Sequence, residues 1–243
     1  MTLEQPMEWQ DTGIVLRTQP FQDNGLILTL LTEHHGKHKG FVRLSRRKLG
    51  NPLQIGSLTS THWQARLADH LGNYRLDILD IPSCRLFTKP KHLQLLHIIC
   101  TLLDLVLLEQ DPCPILYGDL STFLKALDTA LAAASLKEYA LFEVSLLKQL
   151  GFGLNLTSCA STGQTHDLIY ISPKSGHAVS QQAGDPFKDR LFPLPSFYLN
   201  PHGEASPDEL YAALQVTAFF LEKHVLIPHH KQLPQIRRDL RHF

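Results

Sequence analysis

The sequence predicts an α+β protein with a small N-terminal β-domain and a larger helical C-terminal domain. Short β-rich runs separated by turn residues fill the first 82 residues, whereas long apolar segments with helical spacing begin near residue 90. The chain has 243 residues, 43% of them hydrophobic and 19% charged, which suits one or two domains with their own cores. We place the domain boundary between residues 82 and 83.

Five strands are predicted in the first domain, because apolar residues tend to alternate with polar ones and turn residues separate the runs. The predicted strands cover residues 13–18, 25–32, 40–44, 57–67 and 71–81, with a turn at residues 35–37. Five short strands fit the OB-fold, a small β-barrel that often binds oligonucleotides.

The second domain, residues 83–243, is predicted to be α-helical. The predicted helices cover residues 92–109, 115–134, 137–150 and 206–224. Pro112 and Gly151 are ordinary helix-ending signals, and Ser206 followed by Pro207 is a typical helix start. Residues 152–203 are rich in Gly, Ser and Pro, and we expect a small irregular insert there.

Basic residues cluster in the first domain, although 23 Lys plus Arg balance 23 Asp plus Glu in the whole chain. Residues 34–68 contain no acidic residue. The basic residues of this stretch are Lys37, Lys39, Arg43, Arg46, Arg47, Lys48 and Arg66. Such a cluster on a barrel suits a DNA backbone, because each neutralised phosphate releases a counterion. Phe41 and Trp63 are candidates for base stacking; the alternatives are a merely solvated basic face and two core aromatics.

No catalytic site is predicted. The sequence has no GxxxxGK[ST] motif, no GxGxxG after a strand and no HExxH motif. Asp23, Asp77 and Asp80 have no base or metal ligand paired with them in the sequence.

The insert is the best local place for a metal ion, since it holds Cys159, His166 and His177. A structural zinc site needs four ligands, usually from closely spaced pairs. The residue three positions after Cys159 is Thr162, however, and no second cysteine follows. Cys159 is therefore a weak metal candidate, and no cofactor is expected.

Cysteine usage and apolar runs favour a cytoplasmic protein. The four cysteines form no CxxC pair, which indicates a reducing compartment. The most apolar run, residues 93–108, is interrupted by His97 and Asp104 and falls short of the roughly 20 residues that a membrane span needs. We expect neither a secretion signal nor a membrane span.

Several segments, taken in order, resemble the RecO family of recombination mediators, and the last two resemble its alphaproteobacterial members. They are DTGIVLR at residues 11–17, LTLLTEHHGK at 28–37, RLSRRK at 43–48, FEVSLLKQLGF at 142–152, CASTG at 159–163 and YISPKSG at 170–176. The resemblance covers nearly the whole chain. It implies an N-terminal OB-fold, a helical C-terminal domain and no catalysis.

The resemblance also implies binding of single- and double-stranded DNA, annealing of complementary strands, and the partners RecR, single-strand-binding protein and, through them, RecA. Many members bind zinc through four cysteines in the insert; only Cys159 remains here, so the insert resembles a degenerate zinc finger. The helical domain is implied to receive the acidic, apolar tail of the single-strand-binding protein. Candidate cations for that tail are Lys148, Arg237, Arg238 and Arg241.

Two other function classes stay open. One is a protein-interaction adaptor without direct DNA binding, and the other is an unrecognised zinc-dependent nuclease or hydrolase.

Overall fold

Strand pairing closes a five-stranded barrel in the N-terminal part of a computed structural model of the chain. The structure describes residues 7–21, 25–43, 53–67 and 70–242. The strands are β1 (Met7–Phe21), β2 (Gly25–Thr32), β3 (Gly36–Arg43), β4 (Leu58–Ala65) and β5 (Asn73–Asp80), in the spatial order β1-β2-β3-β5-β4. β3 and β5 pair in parallel and the other neighbours are antiparallel. The predicted OB-fold barrel is confirmed.

Two strands are longer than predicted. β1 covers 15 residues, because its first part pairs with β4 and its second part with β2. β3 begins at Gly36, directly after the turn, where its pairing with Thr32 starts. Backbone pairing continues through polar residues, and the alternation of apolar side chains does not reveal that extension.

The interior of the barrel is a single apolar cluster. Its buried members are Val15, Leu26, Leu28, Leu30, Val42, Leu53, Trp63, Ala65 and Tyr74. A bulge in β1 between Val15 and Arg17 interrupts the alternation, so that Ile14, Val15 and Leu16 are all buried in succession. β1 also packs against a helix of the same unit.

Three helices follow the barrel and complete the first compact unit, Met1–Thr129. They are α1 (Pro82–Arg85), α2 (Pro90–Val106) and α3 (Pro114–Ala126). α2 ends before the predicted residue 109, and α3 ends well before residue 134. Compactness divides the chain after Thr129, whereas the predicted boundary after residue 82 marks the change from strands to helices.

The second compact unit, Ala130–Phe243, is built on two packed helices, α4 (Ala132–Gln149) and α6 (Pro207–Leu221). α6 begins at the helix start that Ser206 and Pro207 predicted, and the structure adds a reciprocal capping box between Ser206 and Glu209. A wider turn, Glu222–Leu226, follows α6, and the short helix α7 (Gln235–Arg238) comes near the end. By length and composition alone Pro207–His229 could cross a membrane, but 56% of its most apolar window is buried, as in a core helix.

The insert is more ordered than predicted. It contains β6 (Leu168–Ile171), β7 (Ala178–Ser180), α5 (Gln181–Gly184) and β8 (Phe192–Pro193), with the sheet order β7-β6-β8. Strands of two to four residues are too short to show a period, so sequence patterns do not predict them.

Candidate nucleic-acid interface

The outer face of β3 carries the residues Lys39, Phe41 and Arg43, which we call the β3 row. Gly40 and Val42 between them are buried, whereas Lys39 and Phe41 are half-buried and Arg43 is exposed. Side chains on a strand alternate between its two faces, so the three members of the row share the face that points away from the barrel core. Two cations and an aromatic ring therefore follow one another along this strand.

Strand register brings the end of the β3 row next to two other strand ends. Arg43 pairs with Gly25, which in turn pairs with Phe21, and Phe41 pairs with Asn73 at the start of β5. Asn73 also pairs with Gln64, two residues before the exposed Arg66. We call this edge of the barrel the rim. Arg46, Arg47 and Lys48 follow Arg43 in the chain and lie outside the described residues.

Arg17 of β1 lies beside the β3 row, and we call Arg17, Lys39 and Arg43 the basic face of the barrel. No local sequence pattern connects Arg17 with the other two cations. Arg17 pairs with Thr29 of β2, and Thr29 pairs with Lys39 of β3, so the two cations flank one residue. The Arg17 side chain is 58% exposed. Arg17 lies 22 positions before Lys39 in the sequence, and the two become neighbours only through the pairing of β1, β2 and β3.

Carboxylates from the first unit already contact two of these cations. Asp104 of α2 lies 3.6 Å from Arg17, and Glu109, after the end of α2, pairs with Lys39. Both pairs are partly exposed, so water and salt screen them.

Lys37 is a correction to the predicted DNA-binding set. It is 7% exposed, and its Nζ donates a hydrogen bond to the main-chain oxygen of Asp104 at 2.8 Å. The segment after α2 covers this part of β3, since the N–H of Gln110 donates to the Lys37 carbonyl. A lysine held in this way supports the fold and is not available to DNA.

Trp63 is a core residue, as the alternative interpretation had it. Its ring is 2% exposed, stacks at 5.6 Å on Trp9 and donates a hydrogen bond from Nε1 to the Leu71 carbonyl. Phe41, in contrast, remains half-buried on the outer face and meets Phe21 at the rim.

A group of polar residues at the turn between β2 and β3 could in principle hold a metal ion. Its members are Asp11, Glu33 and His34. The Asp11 carboxylate already accepts hydrogen bonds from the backbone of Thr12 and His34 and contacts the rings of His34 and His35. Burial raises the pKa of Asp11, but these hydrogen bonds outweigh it and lower the pKa overall. The carboxylate is therefore fully used in holding the turn.

The candidate partner-binding cations of the second unit differ in how far they are exposed to solvent. Arg237 is 3% exposed and forms two hydrogen bonds with Glu143, at 2.7 and 2.6 Å, so it is a buried structural cation. Arg238 is partly exposed and pairs with Glu222 at 3.2 Å. Lys148 is exposed near the end of α4. The side chain of Arg241 lies outside the described residues.

A cavity of about 320 Å³ opens beside α6 and α7. It is lined by Tyr211, Leu214, Gln215, Ala218, Glu222, Leu233, Arg237 and Arg238. The lining combines the apolar side chains of Leu214, Ala218 and Leu233 with polar groups, among them the partly exposed ion pair of Arg238 and Glu222. Lys148 is not among the lining residues.

The insert offers no set of zinc ligands around Cys159. The Cys159 sulfur accepts hydrogen bonds from the backbone N–H and the hydroxyl of Ser180, at 3.3 and 3.4 Å. Burial raises the pKa of this thiol, but hydrogen bonds from Ser180 and Thr162 lower the pKa to about 6. Hydroxyls stand where thiolates would be needed, and the other three cysteines, at positions 84, 100 and 113, lie outside the insert. The residues present do not fit zinc.

Comparisons with known proteins agree over most of the chain. A family model described as "Recombination protein O N terminal" matches residues 7–81, and one described as "Recombination protein O C terminal" matches residues 90–234. Similar curated proteins are called "DNA repair protein RecO". The one from Bartonella quintana is 37% identical over 96% of both chains. Those from Rhodospirillum rubrum and Mesorhizobium japonicum are each 39% identical, over 96% and 95% of this chain and 94% and 91% of theirs.

Proposed function

Because the chain belongs to the RecO family of DNA-repair and recombination proteins, we propose that it is a non-catalytic recombination mediator that binds single- and double-stranded DNA through its barrel. The observation that carries the proposal is the β3 row, which ends at the rim with Arg43; Arg46, Arg47 and Lys48 come next in the sequence. Arg43 and Arg66 are exposed there, and Arg17 and Lys39 continue the basic face along the sheet. Two of these positions lie on β3, one lies on β1 and Arg66 follows the end of β4, so that a bound backbone could contact more than one strand.

The proposed mechanism exchanges contacts and needs no nucleotide hydrolysis. Cations on flexible side chains contact phosphates without demanding a base sequence. Two complementary strands held in this way have their charge repulsion reduced, which favours annealing. With RecR, the protein would then help RecA to replace single-strand-binding protein on DNA.

We propose that the cavity beside α6 and α7 receives the tail of the single-strand-binding protein. Leu214, Ala218 and Leu233 would contact an apolar terminal side chain, and Arg238 would contact the carboxylate. Arg237 supports the wall of the cavity through Glu143 and is not a contact residue in this proposal. Binding to RecR is proposed from family membership. The cytoplasmic location is proposed from family membership together with the cysteine usage of the sequence.

The direct test is a titration of labelled single-stranded DNA with the full-length protein across a salt series. We expect the logarithm of the binding constant to fall linearly with the logarithm of salt concentration, and each lost phosphate contact to reduce the slope by about 0.7. Arg43→Glu and the double variant Arg46→Glu/Arg47→Glu should weaken binding, whereas Arg190→Glu, an exposed arginine of the insert, should not. If the barrel variants bound DNA as tightly as the wild type, the result would favour the adaptor function.

Neutralising the carboxylates that contact the basic face should strengthen DNA binding. Glu109→Gln frees Lys39 from its ion pair, and Asp104→Asn frees Arg17. We expect each change to raise the affinity for DNA about two- to fivefold at low salt. The cation then has no carboxylate partner that it must release before it binds a phosphate. Glu138→Gln, on the exposed side of α4, alters the net charge equally and serves as the control; an equal gain there would show a mere net-charge effect.

We propose that the protein has no cofactor and that the insert is held by packing and hydrogen bonds. Its small core contains Cys159, Leu168, Ala178 and Val179. Metal analysis of the purified protein should find less than one zinc per chain, and a chelator should leave the thermal unfolding midpoint unchanged. Stoichiometric zinc, lost together with stability on chelation, would contradict this.

A further inference from the structure

The rim carries two phenylalanine rings whose position the basic face does not explain. Phe21 ends β1 and is 40% exposed, and its ring centroid lies 5.9 Å from that of Phe41 with the ring planes at 75°. Leu71, 39% exposed, precedes Gly72, whose carbonyl accepts the N–H of Phe41 at 3.0 Å. Large apolar side chains that remain exposed together on a soluble domain are a common sign of a binding site.

The backbone keeps the ring of Phe41 in this place. A Cβ atom on Gly25 would lie 2.2 Å from Cε2 of Phe41, so every larger residue would displace the ring. Gly25 is also the pairing partner of Phe21 and of Arg43. Glycine at this position thus leaves room for an aromatic ring to lie across the start of β2.

Cations stand on both sides of the ring along β3. Lys39 and Arg43 are each two residues from Phe41, about 7 Å away on the same face of the strand. Arg43 is exposed, whereas Lys39 is held by Glu109. A ligand bound at the ring would therefore meet the exposed positive charge of Arg43 on one side.

We propose that Phe21 and Phe41 form a stacking platform for one unpaired base, with the phosphate of that nucleotide on Arg43. The inference rests on the proposed DNA-binding function. It adds a preference for unpaired bases, which contacts between cations and phosphates cannot supply. A single strand can present the flat face of a base to an aromatic ring, whereas a paired base within a duplex is already stacked on its neighbours. The platform therefore favours single strands over duplex, and it accepts any base.

The test compares an oligothymidylate with the same strand carrying abasic sites, across a salt series, using the full-length protein. Phe21→Ala and Phe41→Ala should bind the intact strand about 5- to 150-fold more weakly, with an unchanged salt slope, because stacking and not phosphate contact is lost. The wild type should lose affinity on the abasic strand, and the two variants should bind both strands alike. Phe87→Ala removes a ring that is 81% exposed in the same unit and should behave as wild type.

Phe21→Leu separates stacking from simple apolar contact and from misfolding, because the side chain is exposed and stays apolar. We expect it to show the same loss as Phe21→Ala. Wild-type affinity for the Leu variant, or wild-type discrimination of the abasic strand in both Ala variants, would overturn the platform. In that case the weakened binding of Arg43→Glu would still support the proposed function; a wild type that binds no DNA would overturn both.

Discussion

Glu143→Gln is expected to destabilise the second unit by about 3–5 kcal/mol, because it leaves the buried guanidinium of Arg237 without its counter-charge. Arg237 and Glu143 are 3% and 0% exposed. The Glu143 carboxylate also accepts hydrogen bonds from the hydroxyls of Tyr139 and Thr217. A single buried carboxylate thus joins α4, α6 and α7.

Urea unfolding followed by far-ultraviolet circular dichroism measures this effect on the helices. The matched control is Glu222→Gln, which breaks the exposed pair with Arg238 and should cost less than about 1 kcal/mol. Replacing both Glu143 and Arg237 by leucine should restore much of the stability, since an apolar pair leaves no unpaired charge. A loss below 1 kcal/mol for Glu143→Gln would contradict the proposed role of the pair.

Gly36→Ala is expected to destabilise the first unit by at least about 2–3 kcal/mol, from the left-handed backbone and from a steric clash. Gly36 has a φ of +66°, and a Cβ atom there would lie 2.0 Å from the main-chain oxygen of Asp111. The segment after α2 would have to move away from β3. That movement would break the hydrogen bond from Gln110 to Lys37 and the ion pair between Lys39 and Glu109.

Tryptophan fluorescence reports this change, because Trp9 stacks at 4.2 Å on His35, the neighbour of Gly36. Gly118→Ala in α3 is the control: a Cβ atom there would meet nothing within 4 Å, and alanine should stabilise the helix by about 0.5–1 kcal/mol. An equal free energy of unfolding for the wild type and Gly36→Ala would contradict this prediction and show that the segment after α2 can move without destabilising the unit.

Local patterns predicted the elements of the fold better than their ends. Alternating apolar residues indicated five strands, and all five are present, but the extension of β1 to Met7 depends on pairing with β4. Ser206 followed by Pro207 predicted the start of α6 correctly, because a helix cap and the first helical position are neighbours in the chain. The small sheet of the insert escaped prediction, since its strands have at most four residues.

The sequence predicted those residues of the candidate interface that stand close together in the chain. The acid-free stretch pointed to Arg43 and Arg66, which the structure leaves exposed, and a run of like charges is visible in any sequence. Arg17 and Phe21 belong to another strand, and only the register of β1 with β2 places them beside the β3 row. The cavity beside α6 and α7 joins residues from positions 211 to 238, which no local pattern connects.

The order of strands and helices, the basic stretch and the lack of a second cysteine near Cys159 can be read from the chain, because composition, period and residue identity are local properties. The burial of Lys37, Trp63 and Arg237, and the position of Arg17 and Phe21 beside the β3 row, follow from the packed structure. Burial and proximity depend on which segments pack together. Residues of one chemical type therefore acquire opposite roles: Lys37 supports the fold while Arg43, six residues later, faces solvent.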